Sequence, residues 1–423
     1  MHLTKRVVGI LAVTATALAA CSGSSSGTKA GSASPTTAGD TTPAVAPGVT
    51  ATEIHIGGID YKSFFADAEV GARARIKREN DAGGVNGRKI ILDKMVDDGA
   101  DSTQDISIAR SLVQQDHEFI VAPVMTASFS AADYLEQQKV PFMGWAIQPV
   151  WCGKHYGIGF EGNDCDPTVQ AQIPDTVAIE QKLFPDGTAQ GKTVALVSED
   201  NSSASSSLKL FALPWQAHGA KIVLTDSSLP TPPAVVGDFT PYAARILTSN
   251  GGKAPDLVEM SMQVSDTLGL YKKLVDLGYK GIVQNYTLYD PRLAAATKGL
   301  VTAVQFAPFE QAGTVPAVQQ MVNDLKAQDP QVILDQPAAA GYWTMDLLIQ
   351  LLKRAGPDLT RASFVKAAQG FTYDYGGAVG PVRIPDPVSS GGACAAYVRS
   401  NGATFDVAVP LTCAGTIPNP LKH

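Results

Sequence analysis

AEVGARARIKRENDAGGVNGRKIILDKMVDD, residues Ala68 to Asp98, is the stretch whose reading decides the fold. Ala68, Ala72 and Ile76 fall four apart, with Val70 and Ala74 beside that stripe, so one face of a helix can bury. Arg73, Lys77, Arg78 and Glu79 cover the rest of its surface. Gly83 or Gly84 can take the left-handed conformation that ends a helix. Asn86-Gly87 suits a tight turn at positive φ. Ile90, Ile91 and Leu92 then open a strand with little alternation, as in a sheet covered on both faces. Helix, glycine stop, turn and buried strand are the parts of a βαβ unit.

Units of the same kind run outward from it. Ile54 to Ile59 reads as a first strand ending at Asp60, followed by a helix over 66–80 and a strand from Arg88. Ser102–Gln114 reads as a helix, Phe119–Val124 as a strand, Ser130–Gln138 as a helix and Val140–Gly144 as a strand stopped by a Trp145–Pro149 loop. A second series begins with a helix over Gln170–Phe184 and a strand over Thr193–Ser198, then a helix over Ser203–Ala217 interrupted near Pro214. Strands at Lys221–Thr225, Leu257–Met260 and Ile282–Val283 alternate with helices at Pro241–Thr248 and Val264–Leu277. Beyond Val301–Phe306, helices are expected near Val315–Ala327, Ala339–Leu352 and Arg361–Gln369, and Asn401-Gly402 marks a hairpin. This spacing predicts an α/β protein of two doubly wound parallel-sheet lobes with right-handed crossovers.

The composition agrees. A chain of 423 residues is long enough for two cores, and 45% hydrophobic residues against 17% charged marks a globular body. A net charge of −7 offers no clustered basic surface, so nucleic acid is set aside as a partner. Lys5 and Arg6 precede an apolar run, Val7 to Ala19, that is shorter than the roughly 18–20 residues a membrane-spanning helix needs. The run ends in Leu18-Ala19-Ala20-Cys21, which resembles a bacterial lipobox. The resemblance implies a signal peptide over 1–21, lipidation of Cys21, and attachment to the outer face of the cell membrane. Residues 22–51 are nearly all Ser, Gly, Thr, Ala and Pro, a tether spanning about 30 Å as a random coil. Cys152, Cys165, Cys394 and Cys413 allow three disulfide connectivities. The two local ones, Cys152–Cys165 and Cys394–Cys413, are favoured, each worth about 3 kcal/mol in the chain-entropy model. His155 near Cys152 lacks the companions of a metal site.

Asn80-Asp81-Ala82-Gly83-Gly84-Val85-Asn86-Gly87-Arg88-Lys89-Ile90, placed after a short strand and a helix, resembles the signature near the start of type I periplasmic solute-binding proteins. The leucine/isoleucine/valine-binding branch, which serves ABC importers, is the nearest. The resemblance implies three crossings between lobes, with 52–168 and 305–372 in the first lobe and 169–304 and 373–415 in the second. Phe371–Val382 would be the last crossing before the C-terminal hairpin.

In open α/β sheets, ligands bind beyond the C-terminal ends of the strands. The first lobe then offers the loops Asp60–Phe65, with Tyr61 and Phe64, the loop of Met125, Thr126 and Ser128, and the loop of Trp145, Ala146 and Gln148. Asn201 and Ser203, the Met262–Ser265 loop, and Tyr286 with Thr287 come from the second. Hydroxyls and N–H groups around Thr126 and Ser128 suit a carboxylate, or simply cap the helix that follows. Trp145 can stack on an apolar solute or serve as core. The amino-acid-binding branch supplies an acid from its second lobe, whereas Asn285, Tyr286 and Thr287 stand in that region here, leaving Glu259 or Asp60 to supply the charge. An amide or a small carboxylic or aromatic acid is therefore as admissible as an amino acid.

Enzyme signatures fail. Gly157 to Gly162 fits GxGxxG but follows a cysteine and runs into Asn163-Asp164-Cys165, not into a helix, and there is no P-loop, HExxH or nucleophile elbow. The expected function is an extracytoplasmic solute-binding lipoprotein, without cofactor or metal, that captures a small molecule and presents it to an ABC permease. A membrane-anchored sensor of the same fold is the alternative.

Overall fold

The computed structural model describes residues 46–126, 129–162, 165–231, 234–389 and 393–421, without the side chains of 160–162, 169, 202 and 203. The signal segment, Cys21, nearly all of the tether and Ser128 lie outside the described residues, as does the Ser203 side chain. Among the described residues no helix is long and apolar enough to cross a membrane.

The first lobe is built on an all-parallel sheet. Strands β1 (Glu53–Asp60), β2 (Lys89–Asp97), β3 (Ile120–Met125), β4 (Phe142–Ala146) and β5 (Gly157–Gly162) stand in the order β2-β1-β3-β4-β5. The connections are α1 (Lys62–Asp81), α2 (Ser102–Gln114) and α3 (Ala132–Gln137). Alternate residues of one strand serve different faces. Ile54 and Ile56 pack in the core under α1, whereas Ile59 joins Ile108, Leu112 and Leu135 of α2 and α3 on the other side. Gly83 and Gly84 end α1 at φ of 105° and 75°, and Asn86 and Gly87 turn at 51° and 80°, as their residue types require.

Between the sheets the sequence pattern reads as one helix over Gln170–Phe184, and the structure differs. Pro174 disfavours helical backbone at Ile173. A short strand β6 (Gln172–Pro174) forms there instead, leaving only the brief helix α4 (Val177–Glu180) and a turn of 3-10 helix to Leu183.

The second lobe carries a seven-stranded sheet. Its parallel part is β7 (Thr193–Glu199), β8 (Lys221–Leu229), β9 (Leu257–Ser261), β10 (Ile282–Asn285) and β11 (Val301–Val304), connected by α5 (Ser202–Ala217), α6 (Thr240–Thr248) and α7 (Val264–Asp276). The expected break near Pro214 is absent: burial of Leu213 and Trp215, and the Trp215 indole N–H on Glu259 at 2.8 Å, hold the last turn helical.

After β11 the chain runs through α8 (Pro316–Gln328), α9 (Gln336–Ala355) and α10 (Arg361–Ala368), then the antiparallel pair β12 (Thr372–Tyr375) and β13 (Val379–Arg383). It returns to the seven-stranded sheet as β14 (Cys394–Ser400) and β15 (Phe405–Cys413), giving the order β15-β14-β11-β10-β9-β7-β8. A final strand β16 (Thr416–Pro418) pairs with β6. Both local disulfides are present, and Cys394 faces Cys413 directly across the β14–β15 hairpin.

Helix α9 is buried almost throughout and crosses α1 at very close range. A Cβ on Gly71 would lie 2.0 Å from the Ala338 carbonyl oxygen, and one on Gly341 would lie 2.1 Å from that of Ala68. The same interface buries an ion pair, Arg75 Nε to Asp346 Oδ1 at 2.7 Å, with Glu79 on the guanidinium and the Tyr373 hydroxyl on Asp346 at 3.1 Å. Removing one partner of such a pair leaves an uncompensated buried charge.

Gly341→Ala must push the two helix backbones apart, at a cost of more than about 2 kcal/mol in a core with no slack. Gly313→Ala, where nothing lies within 4 Å of the added Cβ, should leave stability unchanged. Chemical denaturation of the two variants checks the contrast.

Candidate functional site: a cleft between two sheet edges

The C-terminal ends of both sheets face a cleft of about 1180 Å³. One wall begins at the head of α1. The sequence pattern places Asp60–Phe65 in a loop, but α1 starts at Lys62, and Phe65 sits in a kink of its first turn at φ −103°, ψ 15°. That kink sets Phe64 and Phe65 edge to face, 4.5 Å apart, with Phe65 against Trp145 at 5.1 Å. Tyr61, Phe64, Phe65 and Trp145 all line the cleft as one aromatic surface. Trp145 belongs to β4 rather than to a loop and is only 9% exposed, so it is both wall and core.

Three expected contacts do not reach the cleft. Met125 and Ala146 are the last residues of their strands and are fully buried behind the aromatic surface. Thr126 is buried too, its carbonyl oxygen accepting the Gln148 amide at 2.6 Å. Gln148 does line the cleft, held by that bond and by the Trp151 indole N–H at 2.8 Å. Trp151 packs in the cluster that contains Cys165, with Cys152 beside it.

The opposite wall comes from the second lobe. Asn201 lines the cleft and also caps α5, its Oδ1 accepting the Ala204 N–H at 2.8 Å. Met262 to Ser265 line it as expected. Tyr286 and Thr287 are present as well. The Tyr286 ring stacks on Phe211, 5.1 Å between centroids, and its hydroxyl donates to Glu259. Neither acid suggested by the sequence stands on the cleft surface. Glu259 is buried beneath Tyr286 and Trp215, and Asp60 is fully buried at the end of β1.

Several lining residues carry no local signal in the sequence. Glu199, the last residue of β7, stands one position before the loop as read from the sequence. Phe211 points to the cleft from α5, a face that the helical period alone assigns to core. Arg292 follows β10 and reaches Asp290 at 2.7 Å, Asp335 at 3.0 Å and Asp67 at 3.7 Å. Asp335 caps α9, and Asp67 lies in α1, so Arg292 of the second lobe grips two helices of the first. No spacing rule connects these positions, which are far apart in sequence.

Burial pushes the Glu199 carboxyl up to about 7, with Asp266 adding to the effect. Burial also pushes Asp60 and Asp105 up to about 7 and Glu118 up to about 8. Neither oxygen of Asp60 has a hydrogen-bond partner among the described residues. Among those residues no group of three side chains is placed to hold a metal ion.

A two-sheet cleft of this kind defines a class. The chain belongs to the periplasmic binding protein family, whose model matches residues 58–404. No curated protein matches it in sequence. Among solved structures it is similar to the fatty acid ABC transporter substrate-binding protein from Thermomonospora curvata, at a TM-score of 0.69 and 18% identity over 88% of this chain and 95% of that one. A solute binding protein of an ABC transporter from R. palustris, in complex with benzoate, gives 0.64 and 14% over 86% and 98%. The leucine-, isoleucine-, valine-, threonine- and alanine-binding protein from Brucella ovis, in its closed conformation, gives 0.67 and 15% over 88% and 97%. The shared fold is that of the type I periplasmic binding proteins.

The buried acids make stability depend on pH. In the unfolded chain Asp60, Asp105 and Glu118 titrate near 4. Folded, they hold their protons to about 7 or 8. The folded state therefore binds more protons across that window, and stability falls as pH rises through it. The melting temperature should be higher at pH 5 than at pH 8, and Asp60→Asn should make the decline shallower. A scan of Tm against pH for both proteins checks this.

Proposed function

We propose that this protein is an extracytoplasmic receptor that captures a small organic solute in its cleft and delivers it to an ABC importer. It is held to the membrane through lipidated Cys21 and the tether that follows. The observation that carries the reading is the pairing of two aromatic surfaces across one cleft. Phe64, Phe65 and Trp145 lie on the first lobe, Phe211 and Tyr286 on the second. Facing aromatic walls with a few fixed polar groups suit a solute with an apolar body and one polar end, within the class of amino acids, amides and small carboxylic or aromatic acids. A solute that touches both walls stabilises the closed arrangement of the lobes, because the open form lacks half of its contacts. The chain leaves the first sheet after β5, and after β11 it runs through α8–α10 and β12–β13 before it rejoins the second sheet as β14. Those passages are the natural hinge. Permease subunits would then read the closed form.

Thermal denaturation against a broad solute panel tests the proposal. A bound solute at a hundredfold excess over Kd stabilises by about 2.7 kcal/mol and raises Tm. Phe64 is half-buried, so Phe64→Ala should weaken binding by more than about 1 kcal/mol with little change in the Tm of the free protein. Trp145→Ala should lower both, since Trp145 is part of the core. Turnover of a solute, or a panel without any effect on Tm, would overturn the reading.

A further inference from the structure

The loop that follows β10 fastens the second lobe to the first. Its backbone crosses over at Tyr289, whose carbonyl oxygen accepts the N–H of Gln336, the first residue of α9, at 2.9 Å. The Tyr289 hydroxyl accepts the Phe309 N–H at 2.9 Å and donates to Glu310 at 2.5 Å, which holds the loop to the segment that leaves the second sheet after β11. Three residues on, Arg292 carries the ionic part. Its Nε donates to both carboxylate oxygens of Asp290, in the same loop, at 2.9 Å each, and this aims the guanidinium. Its Nη2 then reaches Asp335 Oδ2 at 3.0 Å and Asp67 Oδ2 at 3.7 Å, both on helices of the first lobe.

The charges are shared unequally between the lobes. Asp335 is 1% exposed, and its Oδ1 accepts the N–H of Ala338 in the helix that it caps. Burial pushes its carboxyl up to about 8, with Asp67 beside it adding to the effect. Among the described residues Arg292 is the only cation within ion-pair distance of either first-lobe acid. Lobes that swing apart carry Arg292 and Asp290 away together. Asp67 and Asp335 are then left side by side without a counter-charge, one of them in a site closed to water. The Arg292 side chain is itself half exposed, so the contact is made and broken at the surface, where salt screens it.

We infer that Arg292 is an ionic clasp that holds the two lobes together before any solute enters. The clasp sets how far the empty cleft opens, and a solute adds its contacts to a closure that charge has already begun. It rests on the two-lobed hinge of the receptor reading, but it acts on the empty chain and can fail while that reading stands.

The test reads the lobe separation in the full chain after exhaustive dialysis, with no solute added. Spin labels go on two exposed residues of opposite walls, Ser63→Cys and Ser265→Cys, in a Cys21→Ser background, and pulsed electron resonance gives their distance. Arg292→Gln should lengthen that distance by several ångströms and speed exchange of the Gln336 amide at least tenfold. Arg292→Lys, which keeps the charge, should stay near the parent. Raising salt from about 0.1 M to about 1 M, which cuts the Debye length to about 3 Å, should move the parent toward Arg292→Gln and leave Arg292→Gln where it is. Lys272→Gln removes a cation whose partner, Asp276, lies on its own helix, and should change nothing. An unchanged distance in Arg292→Gln overturns the clasp even where the Gln336 amide exchanges faster, because Arg292 is then only a local brace. An equal shift in Lys272→Gln overturns it as well. In either case the solute panel still decides the receptor reading.

Discussion

The contact on which the first lobe depends is the crossing of α1 and α9 at Gly71 and Gly341. The two backbones approach so closely that neither position has room for a Cβ. Helices that touch backbone to backbone leave little freedom in angle or register, and the buried Arg75–Asp346 pair fixes what remains. Two segments about 270 positions apart are thereby made into one body. Both helices then meet the cleft at their first turns. The kinked head of α1 sets Phe64 and Phe65 against Trp145, and the head of α9 presents Asp335 to Arg292.

Electrostatics give the cleft its character. Carboxyl groups collect at the C-terminal ends of both sheets, and burial raises several of them far above the ordinary carboxylate range. These groups weaken the folded state at neutral pH, an expense that packing alone would not require. The one cation on the surface of the cleft, among the described residues, joins the lobes instead of standing free for a solute.

Local signals are legible in the chain and distant ones are not. Gly83-Gly84 and Asn86-Gly87 act through their own backbone, so the helix stop and turn of the opening stretch appear in the structure as expected. The disulfides join near neighbours and were equally legible. Element ends were less so: apolar periodicity cannot show that α1 begins four residues early, because Tyr61 offers no capping side chain to mark its start. Trp145, which the pattern places in a loop, lies one residue before the end of β4. The GxGxxG string is a glycine-bearing edge strand, β5, with Gly157 against the Phe142 ring. Glu199 escaped by one position, and Arg292 with its partners depends on contacts that no local pattern encodes.

The most direct measurement is native mass spectrometry of the protein purified gently from cells grown in rich medium. The receptor reading predicts a one-to-one complex with a small organic molecule, released on denaturation and chemically unaltered. A protein that flies only as the bare chain would contradict it.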